Sequence, residues 1–197
     1  MRTLEEYLQE AERAHGHMCA GQVLGVRLAL VGLARLGISD PVRERKRLIT
    51  FVEIDRCATD AISLVTGCRL GKRALKFRDW GKVAATFVDV PAKRAIRVVA
   101  RENSRELAQS FFPEIPDKNQ QQMTAYRRMN DSDLFDEMWV EVELSPEDFP
   151  GYKGQRIVCE RCGEGINFNR VVLRDGRSWC RACAGESYYK VLSLQNH

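Results

Sequence analysis

Seven cysteines and three histidines carry most of the chemistry that this 197-residue chain can do, and their spacing sorts them into groups. Cys159/Cys162 and Cys180/Cys183 form two Cys-x-x-Cys pairs, seventeen residues apart. That separation lies in the range of zinc modules. Two thiols three positions apart meet at one point when the backbone between them is tightly bent. Four thiolates in a tetrahedron suit Zn²⁺, which supplies folding free energy that so short a segment cannot draw from a core. Two disulfides, a redox-active dithiol and buried free thiols are the competing readings. Spacing, count and context favour structural zinc.

A second group sits near the N-terminus. His15, His17 and Cys19 fall within five residues, flanked by Gly16 and Gly21, which let a backbone bend close to a ligand. On an ideal helix His15 and Cys19 share a face and His17 points away; in an extended stretch all three share a side. Either geometry leaves at least two donors for zinc or another late first-row transition metal in the core. Glu53 to Asp60 adds Asp55, Cys57 and Asp60 at an expected strand-to-helix junction. Cys57 at a helix N-terminus is expected to have a lowered pKa. Asp55 can orient a histidine, ligate metal or exchange protons, and Asp60 is the weaker candidate for the same roles. Cys57 and Asp55 are therefore the catalytic candidates, and Cys57 joins His15, His17 and Cys19 as a candidate core ligand. Cys68 reads as a small buried hydrophobe.

These residues need elements to hold them. Leu4–Ala14 reads as an amphipathic helix and Val23–Leu36 as part of a longer one, apolar on more than one stripe and therefore central. Arg43–Arg47 reads as a solvated basic connection. Leu48–Ile54 is expected as a strand, Ala58–Thr66 as a helix closed by Gly67, and Ala84–Val90 with Ala95–Ala100 as a hairpin. Helices are expected near Asn103–Phe112 and Gln120–Met129, then a half-buried strand over Met138–Leu144. Beyond Gly163, Val171–Leu173 leads through Asp175-Gly176 back toward Trp179, a hairpin. Ala184–Leu194 reads as a helix, which makes knuckle, hairpin and helix similar to a treble clef. The fold class is α+β: a mixed core domain of helices packed on a β-sheet over residues 1–150, and a zinc-binding module over 151–197.

Charge and composition narrow the function. The net charge is +4, all of it from residues 151–197, which hold 8 basic and 4 acidic side chains; residues 1–150 balance at 23 and 23. Four thiolates with one Zn²⁺ add −2, leaving a mild surplus rather than the basic stripe of a dedicated nucleic-acid binder. The charged start Met1–Glu12 argues against a signal peptide, and Arg27 and Arg35 interrupt the longest apolar run, so no membrane span is expected. Cysteine-rich chains without export signals fit the cytoplasm, where thiols bind metal.

The segments His15-Gly-His-x-Cys19-x-Gly21, Glu53-x-Asp55-Arg56-Cys57-x-x-Asp60-Ala61-Ile62, Thr66-Gly67-Cys68-x-Leu70-Gly71-Lys72-Arg73 and Asp79-x-Gly81-Lys82-x-Ala84-Ala85-Thr86-Phe87 occur in this order. Together they resemble the FmdE family of formylmethanofuran dehydrogenase-associated proteins. Ala20 stands where that family's motif has a proline, a departure that removes no donor. The resemblance implies an α+β core, a treble clef appended as in some members, a homodimer, and a link to a molybdenum- or tungsten-dependent formylmethanofuran dehydrogenase. It implies no reaction. A metal-binding accessory protein is the leading expectation. The alternatives are a thiol- or metal-dependent enzyme using Cys19 or Cys57, and a zinc-finger adaptor for protein or nucleic acid, motivated by Arg161, Arg170, Arg174, Arg177, Arg181 and Lys190.

Overall fold

Thr3 opens the first helix, α1 (Leu4–His15): its hydroxyl accepts from the Glu6 amide while the Glu6 carboxylate reaches back to the Thr3 amide. In the computed structural model, which describes residues 2–44 and 46–192, α1 ends at Gly16 in the left-handed conformation, φ 89°. Cys19 is extended and begins α2 (Ala20–Leu36), which Gly37 closes at φ 70°. Val23, Val26, Leu28 and Leu33 of α2 are fully buried although they do not share one face. The helix is the centre of the core, as its unstriped apolar pattern requires.

The remaining core elements are β1 (Leu48–Val52), α3 (Cys57–Thr66), β2 (Leu75–Phe77), β3 (Ala84–Asp89), β4 (Arg94–Ala100), α4 (Ser104–Phe111), α5 (Lys118–Arg128), α6 (Asp131–Leu134) and β5 (Phe135–Val140). The sheet order is β2-β1-β3-β4-β5, with β2 parallel to β1 and the other pairs antiparallel. α2 lies against β3 and β4 on one face, where Phe87, Ile96 and Val98 are buried. On the other face Ile49, Val88 and Ala95 are covered in part by Val140, Val142 and Leu144.

Two strand expectations shift, and one strand, β2, has no counterpart among them. β2 follows a short 3₁₀ turn, Leu70–Lys72, and three residues carry no readable period. β1 stops at Val52, freeing residues 53–56 to turn into α3. β5 starts at Phe135 rather than Met138 and stops at Val140; Met138 is exposed because it lies opposite Arg97, whose guanidinium contacts its sulfur. Arg47 is not solvated either. It forks onto the fully buried Asp89 at 2.7 and 2.5 Å, and that fork holds the Asp89 carboxyl below the usual range. Its neighbour Arg45 lies outside the described residues.

The chain divides into two compact units, Met1–Leu144 and Ser145–His197, a division ahead of the expected Gly151. The second unit contains the hairpins β6 (Ile157–Val158) with β7 (Gly165–Ile166), and β8 (Val172–Arg174) with β9 (Arg177–Trp179). Asp175 and Gly176 both have positive φ, 50° and 74°, as a two-residue primed turn demands. The helix expected over Ala184–Leu194 is confined to a π-helical turn, Ala182–Glu186, because Gly185 at φ 112° breaks it. Residues 187–192 are not helical, and 193 and 194 lie outside the described residues. No helix among the described residues is long and apolar enough to cross a membrane.

Close packing of α2 on α3 depends on Gly25, where an added Cβ would stand 2.4 Å from the Ala58 carbonyl oxygen. Backbone cannot rotate aside as a side chain can. Gly25→Ala is expected to destabilise the first unit by about 1–3 kcal/mol despite its better helix propensity. A lower urea midpoint at unchanged slope is the readout.

Candidate metal centres

In the C-terminal unit Cys159 and Cys162 flank the tight turn after β6, closed by Gly163 at φ 76° with its amide on the Cys159 carbonyl at 2.9 Å. Cys180 follows β9, and Cys183 lies in the π-helical turn. All four sulfurs lie within 4.8 Å of one another, and Cys162 and Cys180 are 3.9 Å apart. A tetrahedron with metal–sulfur bonds of about 2.3 Å has edges of about 3.8 Å, so that separation fits a shared metal and is far from a covalent S–S bond.

Backbone amides prepare the negative charge. The Cys180 amide donates to Cys159 Sγ at 3.2 Å, and with the Cys162 and Arg161 amides it pulls that thiol down to about 6. The Cys183 amide donates to Cys180 Sγ at 3.3 Å. Without a cation the last thiol resists ionisation: contact with Cys180, with burial and the other sulfurs, pushes Cys183 up to about 12. One thiolate is prepared by the backbone, and four together call for a metal. Among this unit's described residues only Cys159 and Ile166 are buried, so a metal held by the four thiols would stand in for a core.

The N-terminal donors converge because two helices end and begin around them. His15 is the last residue of α1, Gly16 reverses the chain, and Cys19 caps α2 in extended conformation. The ligand atoms of His15, His17 and Cys19 all lie within 4.8 Å of one another, and the two imidazole rings are tilted at 4.8 Å. Neither an unbroken helix nor a plain strand is used; the break at Gly16 brings all three together.

Cys57, first residue of α3, lies near Cys19 across the helix pair, and both line one cleft. Gly21 permits the approach: an added Cβ would lie 3.2 Å from Cys57 Cβ and 3.7 Å from Cys19 Sγ. The buried Gln22 amide donates to the Cys57 carbonyl at 2.7 Å, a tether that sequence reasoning misses because one glutamine in an apolar run carries no pattern. Burial first, then contact with Cys19, raises the Cys57 pKa. The lowered value expected from its helix terminus is thus overturned: desolvation and a neighbouring thiol outweigh the dipole. Asp60, not Asp55, meets His15, with Oδ2 at 3.2 Å from Nδ1. Asp55 is exposed and lines a cleft of about 520 Å³ with His15, Cys57, Asp60, Leu75 and Phe77. Glu53 has a different task, forking onto Arg97 at 2.7 Å on both oxygens. Cys68 is buried beside Thr50, and burial raises its pKa.

A family model described as FmdE, molybdenum formylmethanofuran dehydrogenase operon, matches residues 14–136. The chain belongs to the FmdE family. Residues 152–189 match the prokaryotic dksA/traR C4-type zinc finger, which assigns the C-terminal thiols to a zinc-type metal site. An Archaeoglobus fulgidus protein described as "Probable S-adenosyl-L-methionine-binding protein" is 30% identical over 210 residues, covering 96% of this chain and 55% of its own length. This FmdE chain thus spans about half of that curated relative. A solved FmdE-like protein from Syntrophus aciditrophicus, described as of the tungsten formylmethanofuran dehydrogenase type, has TM-score 0.65 at 20% identity and covers 96% of each chain. That likeness gives the fold: an α+β FmdE core followed by a small four-cysteine module.

The raised Cys57 pKa has a direct kinetic consequence. A free thiol of pKa about 8.5 is about one-tenth thiolate at pH 7.5. In metal-free protein Cys57 should therefore alkylate more slowly than a model thiol at pH 7.5, and its rate should go on rising above pH 8.5, where the model thiol levels off. Residue-resolved mass spectrometry of iodoacetamide labelling checks this.

Proposed function

We propose that this FmdE chain is an accessory protein with two metals of different purpose. Cys159, Cys162, Cys180 and Cys183 would hold zinc as a structural ion in a treble-clef-like module. His15, His17 and Cys19 would hold a second zinc or other late first-row metal in the core, with Cys57 as adjacent donor. The supporting observation is the convergence of those three ligand atoms within 4.8 Å on a well-packed scaffold. Imidazole with thiolate suits such ions, and a bound metal would supply Lewis acidity. This chain's residues do the rest. Asp60 meets His15 at Nδ1, which would leave Nε2 for a metal. Cys57 beside Cys19 disfavours two thiolates together, a repulsion that a cation held there would relieve.

The accessory role, serving a molybdenum- or tungsten-dependent formylmethanofuran dehydrogenase-like enzyme, draws on the family's description. It is supported by edge strand β5, which leaves Met138 and Trp139 exposed for a protein contact, either with the enzyme or with a second copy in a homodimer. A nucleic-acid adaptor has less support. Arg161 and Arg174 both lie over the Trp179 ring and donate to the carbonyls of Cys183 and Ala184, so they brace the module.

Elemental mass spectrometry on anaerobically purified protein tests the two-metal reading. About two equivalents per chain are expected. His17→Ala with Cys19→Ser should remove one and leave the first unit's cooperative unfolding intact. Cys159→Ser should remove the other and unfold the second unit. A single equivalent, insensitive to the His17/Cys19 change, refutes the core centre.

A further inference from the structure

A second cleft of about 490 Å³ shares Ile54, Arg56 and Cys57 with the first and is lined by Cys19 as well. Its charges are all of one sign. Arg56, Arg105 and Lys118 line it, and no carboxylate does. Arg56 and Lys118 form no ion pair among the described residues, while the Arg105 contact with Glu102, at 3.9 Å, is exposed on both sides. Asn119 and Gln122 add amide donors, and Leu24, Val83 and Tyr126 supply an apolar wall.

The topology adds to the same potential. The cleft is lined by residues from the first turns of α2, α3, α4 and α5, respectively Gly21, Cys57, Arg105 and Lys118. The starts of α2, α3 and α4 have no side-chain cap, so their dipoles add positive potential, whereas Asp117 caps α5. Three cationic side chains around a concave, partly apolar wall that holds no acid call for negative charge from elsewhere. The volume admits a metabolite-sized molecule rather than a polymer.

We propose that this cleft binds a small multiply charged oxyanion, a phosphate or polycarboxylate. Its charged groups lie between Arg56, Arg105 and Lys118, and its other end lies against Cys19 and Cys57. The assignment does not require the core metal. It does not suit S-adenosyl-L-methionine, whose sulfonium and ammonium outnumber its one carboxylate.

Isothermal titration of the full chain with inorganic phosphate and with tricarballylate, both weak metal ligands, tests it. Binding below about 1 mM is expected for at least one. Arg105→Glu and Lys118→Glu should each weaken it about tenfold, the equivalent of one charge-assisted hydrogen bond. Both changes place an acid in a helix first turn, which the dipole tolerates, and circular dichroism confirms the fold. Lys93→Glu, away from the cleft, should leave affinity unchanged. The bound anion should also slow alkylation of Cys57. No binding of either probe, or equal weakening by Lys93→Glu, overturns the proposal. So does S-adenosyl-L-methionine binding that Lys118→Glu strengthens. Metal content, measured on the same samples, reads the core-centre proposal separately.

Discussion

The whole first unit turns on how closely the start of α2 can approach the start of α3. Gly21 and Gly25 lie one helical turn apart and face Cys57 and Ala58, where a Cβ would collide with backbone or sit tight against Cys57 Cβ. Leaving out two side chains brings Cys57 close to Cys19 and lets Gln22 reach the Cys57 carbonyl. α2 is held on its other side by Gly32, where an added Cβ would stand 2.2 Å from the Phe87 ring. The helix is thus fixed between α3 and the sheet, and it cannot slide without losing one contact or the other. The position of the cysteine pair is a consequence of packing, set before any ligand arrives.

The two candidate centres show what metal can mean in one chain. In the second unit the thiols sit on hairpin turns with almost no buried apolar surface around them. Binding there is a large part of folding. In the first unit the donors sit at the ends of α1, α2 and α3, elements already packed by Leu8, Val23, Leu28 and Ile62. Such a scaffold keeps its shape whether or not the donors are engaged. Four thiolates around one ion would leave no position for a reactant, whereas His15, His17 and Cys19 alone would leave one.

Much of this was legible in sequence, and the exceptions have physical causes. α1, α2, α3 and the β3–β4 hairpin follow apolar periodicity and glycine stops, both of which are local. The Cys-x-x-Cys pairs are local too. β2 is three residues long and is stabilised by parallel pairing with β1, an interaction that no window of sequence contains. Met138 follows the strand alternation but meets Arg97, so its exposure is decided by a neighbour forty-one residues away. His15 was readable as a donor, but its partner Asp60 rather than Asp55 depends on how α3 leaves β1. The Cys57 expectation failed for a related reason. A helix terminus is visible in sequence, whereas burial and contact with Cys19 are properties of the assembled helix pair.

The surroundings of the thiol pair also bear on which chemistry the proposed core centre can support. Ile54, Arg56 and Cys57 line both clefts, so Cys57 borders one cleft carrying Asp55 and Asp60 and another carrying Arg105 and Lys118. A cation at His15, His17 and Cys19 is favoured electrostatically from the acidic side. An anion entering from the basic side then approaches a positive centre rather than two competing thiolates. Each would make the other's binding easier, and by linkage the effect must be mutual. Such a coupling would rest on the opposed charges of the two clefts, and it would separate the proposed core centre from the four-thiolate site of the second unit.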